Sequence, residues 1–302
     1  MAVKIVRQPN LIALIGAPTS AAAHGPGNEK APAALRAAGL VERLNAAGFM
    51  VNDLGDVEAQ LFQQDDESPR ARNLDGVVRA LNALRPKVEE AAKSGALPLV
   101  LGGDCTIALA TVAAVRRYYR HIGLLYMDRH PDLNVPASTP SGRLAGMVLA
   151  HVVGRGAPEL VRFWNEPPLV REPDISLFGC EDYDTYERDL LRTSPIRHFS
   201  ANEILRHGVA RSAQSAVEHI HSDSRHFVLH LDADVISGEE FSASEFTSPG
   251  GLHLSDVREA LRPTNVLPGV LIGRDLSTSL NLGVGDTITL VAALGDLGPM
   301  GL

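Results

Sequence analysis

Three short segments carry the residue types from which a metal centre is built. Asp128, His130 and Asp132 stand in the run Asp128-Arg129-His130-Pro131-Asp132. Asp232 and Asp234 follow the apolar run Phe227–Leu231. Cys105 ends Gly102-Gly103-Asp104-Cys105, directly after Leu97–Leu101. In extended chain, residues two apart point to the same side. The first run can therefore converge Asp128, His130 and Asp132, and the second Asp232 and Asp234. Four carboxylates and an imidazole in one place repel each other unless cations neutralise them. Oxygen-rich ligation with one imidazole suits Mn²⁺ or a similar divalent ion. A single Asp-x-Asp after a strand is often only a turn or a helix cap. Two such clusters after two buried runs are less common, and on this pattern alone both readings stay open.

These residues need elements to position them. Leu11–Gly16, Phe49–Leu54, Leu97–Leu101, Ile122–Met127, Ile175–Gly179, Phe227–Leu231 and Val270–Ile272 read as short apolar strands. Between them lie helical patterns. Ala37, Leu40, Leu44 and Ala47 mark one face of a helix over Ala31–Ala47, stopped by Gly48. Val78, Leu81, Leu84, Val88 and Ala91 mark a second helix ending at Gly95, with Pro86 expected to kink it. Thr106–Tyr119 reads as a third, and Gln63–Arg72 as a polar loop. Apolar strands separated by helices predict a mostly parallel sheet covered on both faces. Ligands in such sheets bind beyond the carboxyl ends of the strands, where the three segments lie.

Composition narrows the function classes. The chain has 302 residues, 45% hydrophobic and 21% charged, which excludes a disordered or collagen-like chain. No run of ~18 apolar residues is present, so no spanning helix and no membrane partner are expected. Met1–Val6 shows no basic region leading into an apolar run, so no secretory signal is read. Two cysteines, Cys105 and Cys180, make no disulfide framework, and a cytoplasmic location is expected. With net charge −8, no basic cluster and 5% aromatics, a nucleic-acid partner is not expected.

The motifs taken together resemble those of the ureohydrolases, the group of arginase, agmatinase and formimidoylglutamase. Asp128–Asp132 is similar to their Asp-x-His-x-Asp motif, Asp232–Asp234 to Asp-x-Asp, and Gly102–Cys105 to Gly-Gly-Asp-His. Lys30–Arg36 followed by Gly39–Leu44 looks like the N-terminal arginase helix, and Thr139–Gly142 and Pro249–Leu252 add further matches. The resemblance covers most of the chain, in order. It implies one arginase-like domain over 1–302, a three-layer α/β/α fold with a mostly parallel eight-stranded sheet. It also implies a binuclear manganese site, in which a hydroxide shared by the metals attacks a guanidinium carbon, and a trimer or hexamer. Asp128 and Asp232 would bridge the ions. His130 and Asp234 would complete one position, and Asp132 and Cys105 the other, with Asp132 also counted as catalytic. Asn134, Thr139, Ser141, Arg143, Asp184 and Glu187 would hold the head of an amino-acid-like substrate. Asn, Ser, Thr and Asp are also ordinary turn residues, and that structural role stays open for them.

The chain departs from the family pattern in ways that bear on activity. Cys105 stands where the family has a His ligand. A thiolate favours Zn²⁺ or another softer ion, so one or two Mn²⁺ ions, or a softer ion at the Cys105 position, are expected. Buried and inert is the other reading of Cys105. The His that shuttles protons in arginases is Ala145 here. His230, two before Asp232, is a candidate replacement, with a core imidazole as its other reading. The Glu that holds the guanidinium is Gly273 or Arg274, neither of which pairs with a cation. No Asp-Pro follows Asp234, and Arg129 replaces a small residue, pointing away from the site by alternation. Two readings follow. One is a C–N hydrolase acting on a modified arginine such as N-hydroxyarginine rather than on arginine. The other is an inactive member of the fold that binds a ligand or serves a structural role.

Overall fold

Period-two burial lays down the sheet. In β1 (Leu11–Gly16), Ile12 and Leu14 belong to one apolar cluster while Ala13 and Ile15 belong to another. In β4 (Gly123–Met127), Leu124 and Tyr126 face the second cluster and Leu125 and Met127 the first. Strands buried on both faces need helices on both faces. α3 (Leu74–Lys93) and α4 (Ile107–Arg116) cover one side through Val77, Leu81, Leu84, Val88 and Leu109. The other side is covered by α2 (Leu40–Ala46) through Leu44, and by three later helices through Ile204, Ile220 and Val257. Those helices are Ala201–His207, Val209–Ile220 and Leu254–Ala260. The result is the three-layer α/β/α arrangement.

The computed structural model describes residues 10–163, 167–220, 226–242 and 247–261, the backbone of Thr287–Val291, and residues 5, 8 and 244. The remaining strands are β2 (Met50–Asp56), β3 (Leu97–Leu101), β5 (Ile175–Phe178), β6 (Arg197–Phe199), β7 (Phe227–Asp232) and β8 (Thr287–Val291). They form one sheet of eight, in the order β2-β1-β3-β8-β7-β4-β5-β6, with every pair parallel. Among the described residues, no helix is long and apolar enough to cross a membrane.

Several expected boundaries shift. The single helix expected over Ala31–Ala47 is two, α1 (Ala31–Ala37) and α2, because Gly39 takes the left-handed φ of 82° between them. Pro86 lies inside α3 without ending it. β6 was not anticipated, since three residues beginning Arg197-His198 carry little apolar signal. The expected strand Val270–Ile272 lies outside the described residues; the place between β3 and β7 is taken by β8.

The strand order sets the site. The carboxyl ends of β3, β7 and β4 open onto Gly102–Cys105, Asp232 and Asp128, and β8 alone separates β3 from β7. The loop after β1 crosses the loop after β3 at very short range. A Cβ on Gly103 would lie 2.0 Å from the Thr19 carbonyl oxygen. The Asp104 amide donates to that same oxygen at 3.0 Å, and the Asp104 carboxylate accepts from Thr19 Oγ1 (3.2 Å) and the Ala22 amide (3.1 Å). Gly103 therefore allows a backbone approach on which the placement of Cys105 depends. Gly103→Ala is expected to lower unfolding free energy by about 1–3 kcal/mol in urea titrations, the usual cost of overpacking. Gly25→Ala, with no atom of the described residues within 4 Å of its Cβ position, is the control, expected within about 0.5 kcal/mol of the parent.

Candidate metal centre

The β4–β7 ladder brings the two acidic runs together. Tyr126 pairs with His230 and Met127 with Leu231, so one step further Asp128 stands beside Asp232. Each of three carboxylates then spends one oxygen on the backbone. Asp128 Oδ1 accepts from the His130 amide (2.7 Å), Asp232 Oδ1 from the Asp234 amide (3.0 Å), and Asp234 Oδ1 from the Arg129 amide (3.3 Å). The second oxygens are left for each other's neighbourhood. Asp234 Oδ2 lies 3.1 Å from His130 Nδ1, and Asp232 Oδ2 accepts from the Cys105 thiol at 3.0 Å. Asp128 Oδ2 is buried with no hydrogen-bond partner among the described residues, 3.7 Å from His230 Nε2.

Among the described residues, two groups of donor atoms result, each within 4.8 Å of one another: Cys105, Asp128, His230 and Asp232, and Asp128, His130 and Asp234. The electrostatics are those of a place made for cations. Burial, with Asp234 and Asp128 nearby, pushes the Asp232 carboxyl well above the usual range, and burial beside Asp128 raises Asp234. Burial and the charges of Asp232, Asp132 and Asp128 push the Cys105 thiol up. Burial also works against the Asp128 carboxylate, but the imidazoles of His130 and His230 outweigh it and hold Asp128 below its ordinary value. His130, despite burial, is pushed up to about 12 by Asp128 and Asp234. Protons and imidazolium here balance charge that a divalent ion would balance better, and the orphaned Asp128 and His230 atoms offer it ligands.

Asp132 is placed differently from expectation. The chain after Asp128 is not extended, and Asp132 takes a left-handed φ of 48°. Its carboxylate accepts from the Tyr126 hydroxyl at 2.6 Å and belongs to neither donor group. His230, expected as a proton donor, is 0% exposed and stacks on Tyr126, rings 4.2 Å apart and 15° from parallel. It does not line the cavity, and a ring without exposure cannot pass a proton to a leaving group there.

A cavity of about 340 Å³ opens over the centre. Cys105, Asp128, His130, Asp132, Asp232 and Asp234 line it, and so do Asn134, Ser141, Asp184, Glu187 and Ala145. Asp184 caps the helix Thr185–Leu191 in a reciprocal pair with Glu187, and its Oδ2 accepts from Asn134 Nδ2 at 2.9 Å. Glu187 also accepts from the Leu133 amide at 3.0 Å, which ties this helix to the loop after β4. Two expected substrate contacts stand back from the cavity. Thr139 is buried and accepts from the Ser141 and Gly142 amides, so it shapes the loop. Arg143 is buried with its guanidinium over the Phe62 ring, 4.9 Å from the centroid. Arg129 points away from the centre, as alternation predicts, donating to Asp182 and to the carbonyls of Pro249 and Gly250. That grip explains the Pro249–Leu252 segment, since a Cβ on Gly251 would lie 2.8 Å from the Arg129 guanidinium. Cys180 is wholly buried packing. Sequence reasoning missed His24, Asn28, Asp182 and Tyr183 in the cavity wall. The position of His24 and Asn28 downstream of the carboxyl end of β1 was the available signal.

Comparison with known proteins agrees with this geometry. A model of the arginase family matches residues 10–282. The chain is 34% identical over 223 residues to an arginase of Brevibacillus brevis, covering 74% of this chain and 75% of that protein. It is 31% identical over 258 residues to an arginase of Staphylococcus aureus, covering 83% of each. The solved structure of arginase from Bacillus caldovelox superposes with a TM-score of 0.80 at 26% identity, covering 95% of this chain and 91% of that one. A strand order that gathers buried carboxylates over β4 and β7, and a family match along nearly the whole described chain, lead to one assignment: this protein belongs to the arginase family.

Proposed function

We propose that this protein is a metal-dependent hydrolase that cleaves a C–N bond of a guanidine-like group on an α-amino acid, with a tail less basic than that of arginine. One observation carries the reading. Donor residues of both groups, His230 apart, line the same cavity as the residues suited to an amino-acid head. Asp128, His130, Asp232 and Asp234 would hold Mn²⁺, with a softer ion favoured beside Cys105. Divalent ions there supply hydroxide near neutral pH by lowering the pKa of water.

The protein's own residues do the rest. Asp184 and Glu187 offer carboxylates to an α-ammonium group, and Asn134 and Ser141 offer donors to an α-carboxylate. Ala145 lines the cavity where a proton-transferring side chain would otherwise stand, so the leaving group draws no proton from that position. The position that the resemblance gives to the guanidinium-binding Glu, Gly273 or Arg274 here, lies outside the described residues, and neither residue type attracts a cation. Arginine's tail is always cationic and is served by a facing carboxylate. An N-hydroxylated guanidine is less basic, because the oxygen withdraws electrons, and needs that partner less.

Metal binding should depend on pH in a stated direction. Burial raises Asp232 and Asp234 in the folded chain, so between the unfolded and folded pKa values the folded state holds more protons. The metal-free stability from these carboxyls therefore falls as pH rises through that interval. His130 acts in the same direction: its contribution is full below 6.5 and is lost as pH rises toward about 12. Since the ion replaces protons, Mn²⁺ is expected to raise the melting temperature more at about pH 8 than at about pH 5, with protons released on binding. Thermal scans with and without metal at both pH values check this; equal shifts would sink the ligand assignment.

Activity is the second check. Metal-loaded protein should turn over N-hydroxy-L-arginine, or a related modified amino acid, with little or no turnover of L-arginine or agmatine. The assay is run with manganese, zinc and cobalt separately. Asp184→Ala should raise KM for α-amino substrates by about tenfold or more, the loss of one charge-assisted contact. Arginine turnover at the rate of an ordinary arginase overturns the specificity. Absence of turnover of any guanidino or formimino compound, with ions bound, establishes instead an inactive ligand-binding member of the fold.

A further inference from the structure

We propose that His230 is a metal ligand, so that Cys105, Asp128, His230 and Asp232 form a mixed sulfur, nitrogen and oxygen site selecting a softer divalent ion of the Zn²⁺ or Co²⁺ kind. Asp128, His130 and Asp234 then hold a harder ion beside it. The inference rests on the metal-dependent reading above and deepens it by giving the two positions different chemistry.

A buried imidazole normally satisfies at least one ring nitrogen with a hydrogen bond. Both nitrogens of His230 are buried, and neither has a hydrogen-bond partner among the described residues. The ring is not loosely held. The β4–β7 register places it opposite Tyr126, whose ring stacks on it, and Tyr126 is itself fastened to Asp132 through its hydroxyl. An imidazole oriented this firmly, with its donors unspent, has the preorganisation that ligands need.

The distances agree. His230 Nε2 is 3.7 Å from Asp128 Oδ2, too far for a hydrogen bond. Two donors each about 2.0–2.2 Å from one tetrahedral ion sit roughly 3.3–3.6 Å apart. Cys105 Sγ and Asp232 Oδ2, now joined by the thiol's hydrogen bond at 3.0 Å, would move slightly apart to complete the set, with all four donor atoms inside 4.8 Å. The thiol proton that Asp232 now accepts would leave to solvent when the ion takes both atoms. A thiolate and an imidazole together favour zinc or cobalt over manganese, whereas two carboxylates and one imidazole at the neighbouring group do not.

The experiment loads the unmodified protein with one equivalent of zinc and records X-ray absorption at the zinc edge. One sulfur at about 2.3 Å together with imidazole scattering is expected. Cobalt at one equivalent should show a thiolate-to-cobalt charge-transfer band. His230→Asn should weaken zinc binding by about tenfold or more and remove imidazole scattering, while manganese still binds at the neighbouring group. Zinc without sulfur or imidazole, or unchanged zinc affinity in His230→Asn, overturns the inference; if that variant does not fold, the zinc-edge spectrum of the parent decides alone. Manganese at both positions with no preference for zinc overturns this inference but leaves the hydrolase reading standing. Failure of any ion to bind overturns both.

Discussion

Everything at the centre depends on the repulsion among buried carboxylates over the carboxyl ends of β4 and β7. Asp128 is 1% exposed and Asp232 3% exposed, side by side on adjacent strands. Folding would not gather them without compensation, because uncompensated charge in a low-dielectric interior is costly. The compensation is built in stages. Backbone amides of the following turns take one oxygen of each carboxylate. The imidazole of His130 and the thiol of Cys105 meet the others. What is left over, an orphaned Asp128 oxygen beside an orphaned His230, has the character of a ligand set.

The surrounding architecture exists to hold that arrangement still. Parallel strands buried on both faces fix the ladder, and the ladder register fixes which side chains meet. The close crossing of the loops after β1 and β3, made possible by Gly103, sets where Cys105 reaches in. Arg129 links the turn after β4 to Asp182 and to the segment Pro249–Gly250, three chain regions that otherwise have no shared strand. The pair Asp184–Glu187 links the cavity wall to the loop after β4 in the same way. A cavity whose walls are tied at so many points presents a preorganised set of polar groups, the condition for selective binding.

The departures from the family pattern also form a consistent set. Cys105 stands where the resemblance places an imidazole, while His230 on β7 holds an imidazole within 4.8 Å of the Cys105 sulfur. At the position that the resemblance gives to a proton carrier, Ala145 lines the cavity with a methyl group. A site altered at one ligand alone would read as decay. Here the change at Cys105 is accompanied by a donor atom facing the same group, the arrangement on which the proposed change of metal preference rests.

Much of this was legible in the sequence. Apolar runs with helical stretches between them predicted a parallel sheet with two covered faces, because burial on both sides leaves no polar alternation. Polar residues directly after those runs located Cys105, Asp128, His130, Asp232 and Asp234, because strand ends are where such sheets expose chemistry. The alternation rule also turned Arg129 away from the site. Tertiary structure decided the rest. Asp132 left the donor groups because a left-handed turn, which no periodicity announces, swung its carboxylate to Tyr126. Thr139 and Arg143 proved to be loop and packing residues, since which side of a turn faces a cavity depends on neighbours distant in sequence. His230 proved to be a buried ring stacked on Tyr126 beside Asp128 rather than a ring lining the cavity, because these neighbours are set by cross-strand register. A sequence states which residues alternate along one strand; only the folded sheet states what stands opposite them.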